Sequence, residues 1–171
     1  MKLNDLTNQQ YKIMIDLDGV LADFEAGVKK LVPDYDPVKY ENDSKYRNKM
    51  WKAVDKYSKE GGKLWGELPL MSDAMILWNY IKKYNHEILT ATGDPKYGAE
   101  AQKKLWVKKH FGNVKINFTR KAAEKAQLAQ KNTILIDDKQ KAIGPWIKAG
   151  GIGIIHTSAK NTIAQLKKLN L

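Results

Sequence analysis

The stretch YKIMIDLDGVLADF, Tyr11 to Phe24, decides how this chain is read. Lys12 to Ile15 have the composition of a buried strand, and two carboxylates, Asp16 and Asp18, come directly after it. Side chains alternate across a strand, so residues i and i+2 share a face. Asp16 and Asp18 therefore point the same way where the strand runs out. A carboxylate taken out of water without a partner is costly, so a charged counterpart is expected there.

Further β-rich runs follow at HEILTA (86–91), VKINFT (114–119), TILIDD (133–138) and GIGIIHT (151–157), with helical segments between them. Ala74, Leu77, Ile81 and Tyr84 recur at three- and four-residue steps behind Ser72, which predicts an amphipathic helix capped by that serine. Helices are also predicted over Ala122 to Gln130, Lys139 to Lys148 and Ala159 to Leu169. This alternation calls for an α/β fold, a Rossmann-like doubly wound parallel sheet, in which ligands sit beyond the carboxyl ends of the strands. From about Val32 to Pro69 no strand can be drawn, which predicts a small helical cap inserted after the first strand of a single domain, 1–171. Its aromatics, Tyr40, Tyr46, Trp51, Tyr57 and Trp65, either pack the cap or stack on a flat substrate. Trp65, in a loop flanked by glycines, and Phe24 are the candidates for substrate contact.

The strand-end rule selects Asp16 and Asp18, Thr90 and Thr92, and Asp137 and Asp138. Either Asp pair alone could serve a turn or a cap, which leaves unexplained why two strands each end on one. Four carboxylates on one sheet edge repel one another unless a cation lies among them, and hard oxygen donors in this number suit Mg2+. The chain has no cysteine, which removes disulfides, thiolate metal sites and cysteine catalysis together. His86, His110 and His156 are scattered and read as structural, and AGGIGI reads as a turn, since it lacks both GxGxxG and a P-loop lysine.

The formal net charge is +11, yet only Arg47 and Arg120 are arginines. Lysine lacks the planar fork that reads base edges, so sequence-specific DNA recognition is disfavoured. The lysines read as solvated helix faces or as an attraction for an anionic substrate. No run reaches the roughly 18 apolar residues of a membrane span, and MKLNDLTNQQ lacks the apolar core of a signal peptide, so a soluble, cytoplasmic protein is expected.

DLDGVLADF resembles the first motif of the haloacid dehalogenase superfamily of phosphohydrolases; ILTAT is similar to its second motif and ILIDD to its acidic fourth. Together with LWGELPLMSDAMILW and ILIDDKQKAIGPWIKAGGIGIIHTS, these segments look most like the 5'(3')-deoxyribonucleotidases of bacterial and phage type. The resemblance implies Mg2+-dependent hydrolysis of a small-molecule phosphate ester, a nucleoside monophosphate. It implies Asp16 as the nucleophile and Asp18 as general acid and base. Asp16, Asp18 (through its main-chain carbonyl), Asp137 and Asp138 would hold the metal, and Thr90 would bind a phosphoryl oxygen. The phosphate-binding lysine would be Lys125 or Lys121, and the likeness of KAQLAQKNTILIDD to the family's lysine-bearing segment before the acidic strand favours Lys125. Val20 stands where threonine is frequent in the superfamily, and Ala91 stands where nucleotidases use a residue that helps fix the substrate.

Three other readings stay open. The substrate could be a phosphorylated nucleic-acid end, which the positive charge favours. The chain could be a phosphoacceptor module like a response-regulator receiver, although the DxD of the first strand and the insertion after it speak against that. It could also be a basic nucleic-acid-binding domain with a vestigial site.

Overall fold

The computed structural model describes residues 11–171. The signal-peptide expectation for MKLNDLTNQQ lies outside them. β1 (Lys12–Ile15) is the middle strand of a five-stranded sheet whose order is β3-β2-β1-β4-β5, with β2 at His86–Ala91, β3 at Ile116–Thr119, β4 at Thr133–Asp137 and β5 at Ile152–Ile155. Every pairing is parallel, and Ile15 lies opposite both Ile88 and Ile136. Because helices cover both faces, the central strands are predominantly apolar rather than alternating, with their polar residues mostly toward the ends. Ile13, Ile15, Ile88, Ile134 and Ile136 pack into one core with Ala74, Leu77 and Ile81, and Met14, Leu89 and Leu135 pack into another with Ile143 and Trp146. All five predicted strands are present, each trimmed by at most a few residues.

The helices are α1 (Phe24–Lys29), α2 (Pro37–Asn42), α3 (Ser44–Lys59), α4 (Ala74–Ile81), α5 (Ala99–Phe111), α6 (Gln140–Lys148) and α7 (Ala159–Lys168). Aspartates cap the first three: the carboxylates of Asp23, Asp36 and Asp43 accept from the first-turn amides of α1, α2 and α3. The cap expected at Ser72 falls instead on Asp73, which spends its carboxylate elsewhere. Asp73 Oδ2 accepts from Ala159 N at 2.6 Å and ties the start of α4 to the start of α7. The helix predicted over Ala122 to Gln130 is a 3-10 element, Ala122–Leu128.

Between Val32 and Pro69 lie α2, α3 and a 3-10 turn, Leu64–Gly66, without a strand. This insertion is fastened to the sheet side of the molecule at several points. Gln102 Oε1 accepts from Trp65 N and Gly66 N at 3.0 and 3.3 Å, and Trp106 Nε1 donates to Leu68 O at 2.7 Å. The Trp51 ring stacks on Tyr97 with centroids 5.4 Å apart. No helix among the described residues is long and apolar enough to cross a membrane.

Candidate active site

Where β1 ends, Asp16 N still donates to Ile136 O at 3.0 Å, and the chain then wraps around Leu17 O, which accepts from Val20, Leu21 and Ala22 N. The turn passes through Gly19 at φ +79°, where a side chain is disfavoured. A Cβ on Gly19 would also collide with the Asp138 carboxylate, so this glycine lets the first loop close against the end of β4. Residues about 120 apart in the chain thereby meet at one edge of the sheet.

Asp16, Asp137 and Asp138 each present an oxygen within 4.8 Å of the others. Asp16 Oδ1 accepts from Leu17 N at 2.8 Å, and its Oδ2 lies 3.0 Å from Lys125 Nζ. Lys125 also reaches Asp137 Oδ2 at 2.6 Å, while Asp137 Oδ1 accepts from Lys139 N at 2.8 Å. Lys125 is 1% exposed, and Lys121 lies exposed at the start of the 3-10 element, so of the two candidates Lys125 is the one among the carboxylates.

The Asp18 side chain stands apart from that trio. Its Oδ2 accepts from Lys103 Nζ at 2.8 Å, and the same ammonium donates to Thr90 Oγ1 at 2.9 Å and to Ala91 O at 2.7 Å. The four aspartates thus divide into three that converge and one that is drawn aside by a lysine. Thr90 is fully buried and keeps its hydroxyl proton for another acceptor. Thr92 donates to Thr119 O at 3.2 Å and joins the ends of β2 and β3.

Lys103 was not legible as a site residue, because no apolar stripe marks which face of α5 is buried. Its buried residues, Ala99, Lys103, Trp106 and Val107, follow helical spacing, but a lysine in that row cancels the amphipathic contrast with the lysines on the outer face. The available signal was positional, since Lys103 occupies a place in the row that an apolar residue would ordinarily fill.

Burial raises the carboxyl of Asp18, the charge of Asp16 adds to that, and Lys103 opposes it. Burial and Asp16 push Asp138 up to about 6 against the pull of Lys139, and they raise Asp137 as well, against Lys125. Burial alone would lower Lys125, but Asp16 and Asp137 outweigh it and hold its ammonium above the usual lysine range. Four carboxylates face two buried ammonium groups, Lys103 and Lys125, so the cluster carries an excess of negative charge. One oxygen of Asp18 and one of Asp138 are buried with no hydrogen-bond partner among the described residues. An acidic oxygen cluster, two unsatisfied oxygens and a glycine that keeps the space beside Asp138 open together fit a hard divalent cation such as Mg2+.

A cavity of about 280 Å³ opens at this edge. Asp16, Asp18, Lys125, Asp137 and Asp138 line it together with Phe24, Tyr35, Tyr40, Trp51 and Trp65. Both proposed substrate contacts, Phe24 and Trp65, are therefore on its wall. Tyr46 is not, because its hydroxyl donates to Asp34 O and accepts from Asp36 N, and Tyr57 pairs with Glu67.

Neither a protein-family model nor a curated protein matches the chain. Solved structures do match. A "predicted phosphatase" from Clostridium acetobutylicum aligns at TM-score 0.60 with 18% sequence identity, over 95% of this chain and 99% of that one. A haloacid dehalogenase-like family hydrolase from Streptococcus pneumoniae aligns at TM-score 0.53 with 17% identity, over 84% and 82%. At this identity the likeness is one of fold, and it agrees with the Rossmann-like sheet expected from the strand pattern.

Proposed function

We propose that the protein is a magnesium-dependent phosphomonoesterase acting on nucleoside monophosphates, in the manner of a 5'(3')-deoxyribonucleotidase. The observation that carries this reading is the convergence of Asp16, Asp137 and Asp138 within 4.8 Å beside a lysine that is 1% exposed. The phosphatase and hydrolase named among the structures of like fold support it. Asp16, Asp137, Asp138 and the main-chain carbonyl of Asp18 would hold Mg2+, which when bound supplies positive charge against the phosphoryl oxygens.

An Asp16 oxygen forms a bond to phosphorus while the bond to the leaving oxygen breaks, and Asp18 gives that oxygen its proton. Water then attacks the phosphorus of the aspartyl-phosphate, Asp18 takes the water's proton, and the Asp16–phosphorus bond breaks to free inorganic phosphate. A carboxyl raised by burial, as that of Asp18 is, suits a group that must carry a proton in one step and accept one in the next. Lys125 balances charge on Asp16, and Thr90 has a hydroxyl proton to offer a phosphoryl oxygen. The aromatic residues of the lining, Phe24, Tyr40, Trp51 and Trp65, would contact a base while the charged residues of the same cavity take the phosphate.

Phosphate release from dUMP or dTMP, followed with and without Mg2+, tests the reading. Asp16→Asn is expected to lower kcat at least ~1,000-fold; full activity in that variant would remove Asp16 as the nucleophile. The net charge of +11 favours a second substrate, a phosphorylated nucleic-acid end. Preference for a 3'-phosphorylated oligonucleotide over mononucleotides would select it.

A further inference from the structure

We infer that Arg120 receives a second phosphate group of the ligand, so that the preferred substrates carry one phosphate at Asp16 and another at Arg120. This rests on the phosphomonoesterase reading above. Of the chain's two arginines, Arg47 is spent on structure, since its guanidinium donates to Tyr40 O at 2.8 Å and Glu41 O at 3.2 Å at the turn between α2 and α3. Arg120 lies on the cavity wall, and its side chain has no ion pair or hydrogen bond among the described residues.

The other cations lining the cavity are each engaged by a carboxylate. Lys125 sits between Asp16 and Asp137, Lys139 lies 3.3 Å from Glu41 and 3.6 Å from Asp138, and Lys141 lies 3.7 Å from Glu41. An anion entering the cavity meets the first two only by competing with aspartates of the site, and the third only by competing with Glu41. At Arg120 it displaces nothing.

The backbone of Arg120 is held firmly although its side chain is free. Its N–H donates to Glu124 Oε2 at 3.0 Å, and its carbonyl accepts from Gly93 N at 3.0 Å, which stitches the loop after β3 to the loop after β2. β3 is two strands from β1, and strands are spaced about 4.8 Å apart, so the residue stands about 10 Å from the strand that bears Asp16. That offset suits another substituent of the same ligand better than the phosphoryl group at Asp16, which Lys125 already flanks. Guanidinium is the group for such a task, because its planar fork meets two phosphate oxygens at once and sheds water more readily than an ammonium.

The second phosphate could belong to a nucleoside 3',5'-bisphosphate or to the internucleotide linkage of a nucleic-acid end. Calorimetric titration of the Asp16→Asn chain in Mg2+, which reads binding without turnover, separates them. The probes are dUMP, deoxyuridine 3',5'-bisphosphate and a 5'-phosphorylated dinucleotide. The bisphosphate is expected to bind about tenfold more tightly than dUMP, and in a chain that also carries Arg120→Ala that ratio should fall to about one. Arg120→Lys should restore only part of it. A dinucleotide that gains as much as the bisphosphate assigns the second phosphate to a nucleic-acid end, and one that gains nothing assigns it to the bisphosphate; both uphold Arg120. Equal binding of dUMP and bisphosphate, or a ratio that survives Arg120→Ala, overturns the inference. Failure of the phosphomonoesterase reading would show separately, as no phosphate release by the unsubstituted enzyme.

Discussion

Lys103 has three protons on its ammonium and three acceptors around it: Asp18, Thr90 and the carbonyl of Ala91. The side chain is 2% exposed, so water cannot replace those bonds if the charge is removed. Lys103→Met keeps the apolar stem and deletes the ammonium, which leaves the Asp18 carboxylate without its partner and frees Thr90 to rotate. In a phosphate-release assay this variant should lose about 100-fold or more in kcat with a smaller change in KM, since positioned acid–base groups contribute 100- to 10,000-fold. A denaturation curve run alongside distinguishes this from unfolding. Unchanged kcat would mean that Asp18 does not depend on Lys103.

At the scale of elements, the end of the sheet opposite the site carries its own polar cluster. Glu87 on β2 takes 2.6 Å and 3.2 Å contacts from Lys12 and Lys115, and a 2.8 Å hydrogen bond from Asn117 of β3. Burial opposes its ionisation, but Lys12, Asn117 and Lys115 outweigh that and hold its carboxyl below the usual range. Lys115 is 66% exposed and adds little, so Lys12 and Asn117 carry most of the effect. A carboxyl depressed in the folded state contributes stability that is present above its unfolded pKa and lost as pH falls through the folded one. Glu87→Gln should therefore lower the unfolding free energy by about 1 to 3 kcal/mol at pH 7, and the gap to the unsubstituted protein should close below about pH 4. Urea titrations at both pH values check this; a gap that stays constant with pH would contradict it.

For the whole molecule, excess negative charge at the junction of β1 and β4 opposes folding, and a bound cation relieves it. Binding to the native chain alone stabilises in proportion to the logarithm of ligand concentration. Magnesium at 100 times its Kd is expected to add about 2.7 kcal/mol, seen as a rising Tm in thermal melts. Asp137→Asn should flatten that rise, and potassium at equal ionic strength should not reproduce it. Absence of any magnesium effect on Tm would count against the metal centre independently of any assay for catalysis.

The strands and their carboxylates were legible in the residues themselves. A central strand of a parallel sheet is buried on both faces, so the middles of KIMI, EILT and TILI had to be apolar, and the acidic residues that follow the first and third marked where those strands end. Sequence alone thus determined the β/α alternation, the strand-free stretch between β1 and β2 and the aspartates that end up together. It did not determine which cation meets which aspartate. Lys103 lies 85 residues from Asp18, and Lys125 lies 12 from Asp137 but more than 100 from Asp16. Attraction between charges depends on their separation in space and on how far water is excluded between them, and no local pattern encodes either. Only the packing of α5 and of the 3-10 segment against the sheet set those distances, and with them the division of the aspartates into a converging trio and a fourth held aside.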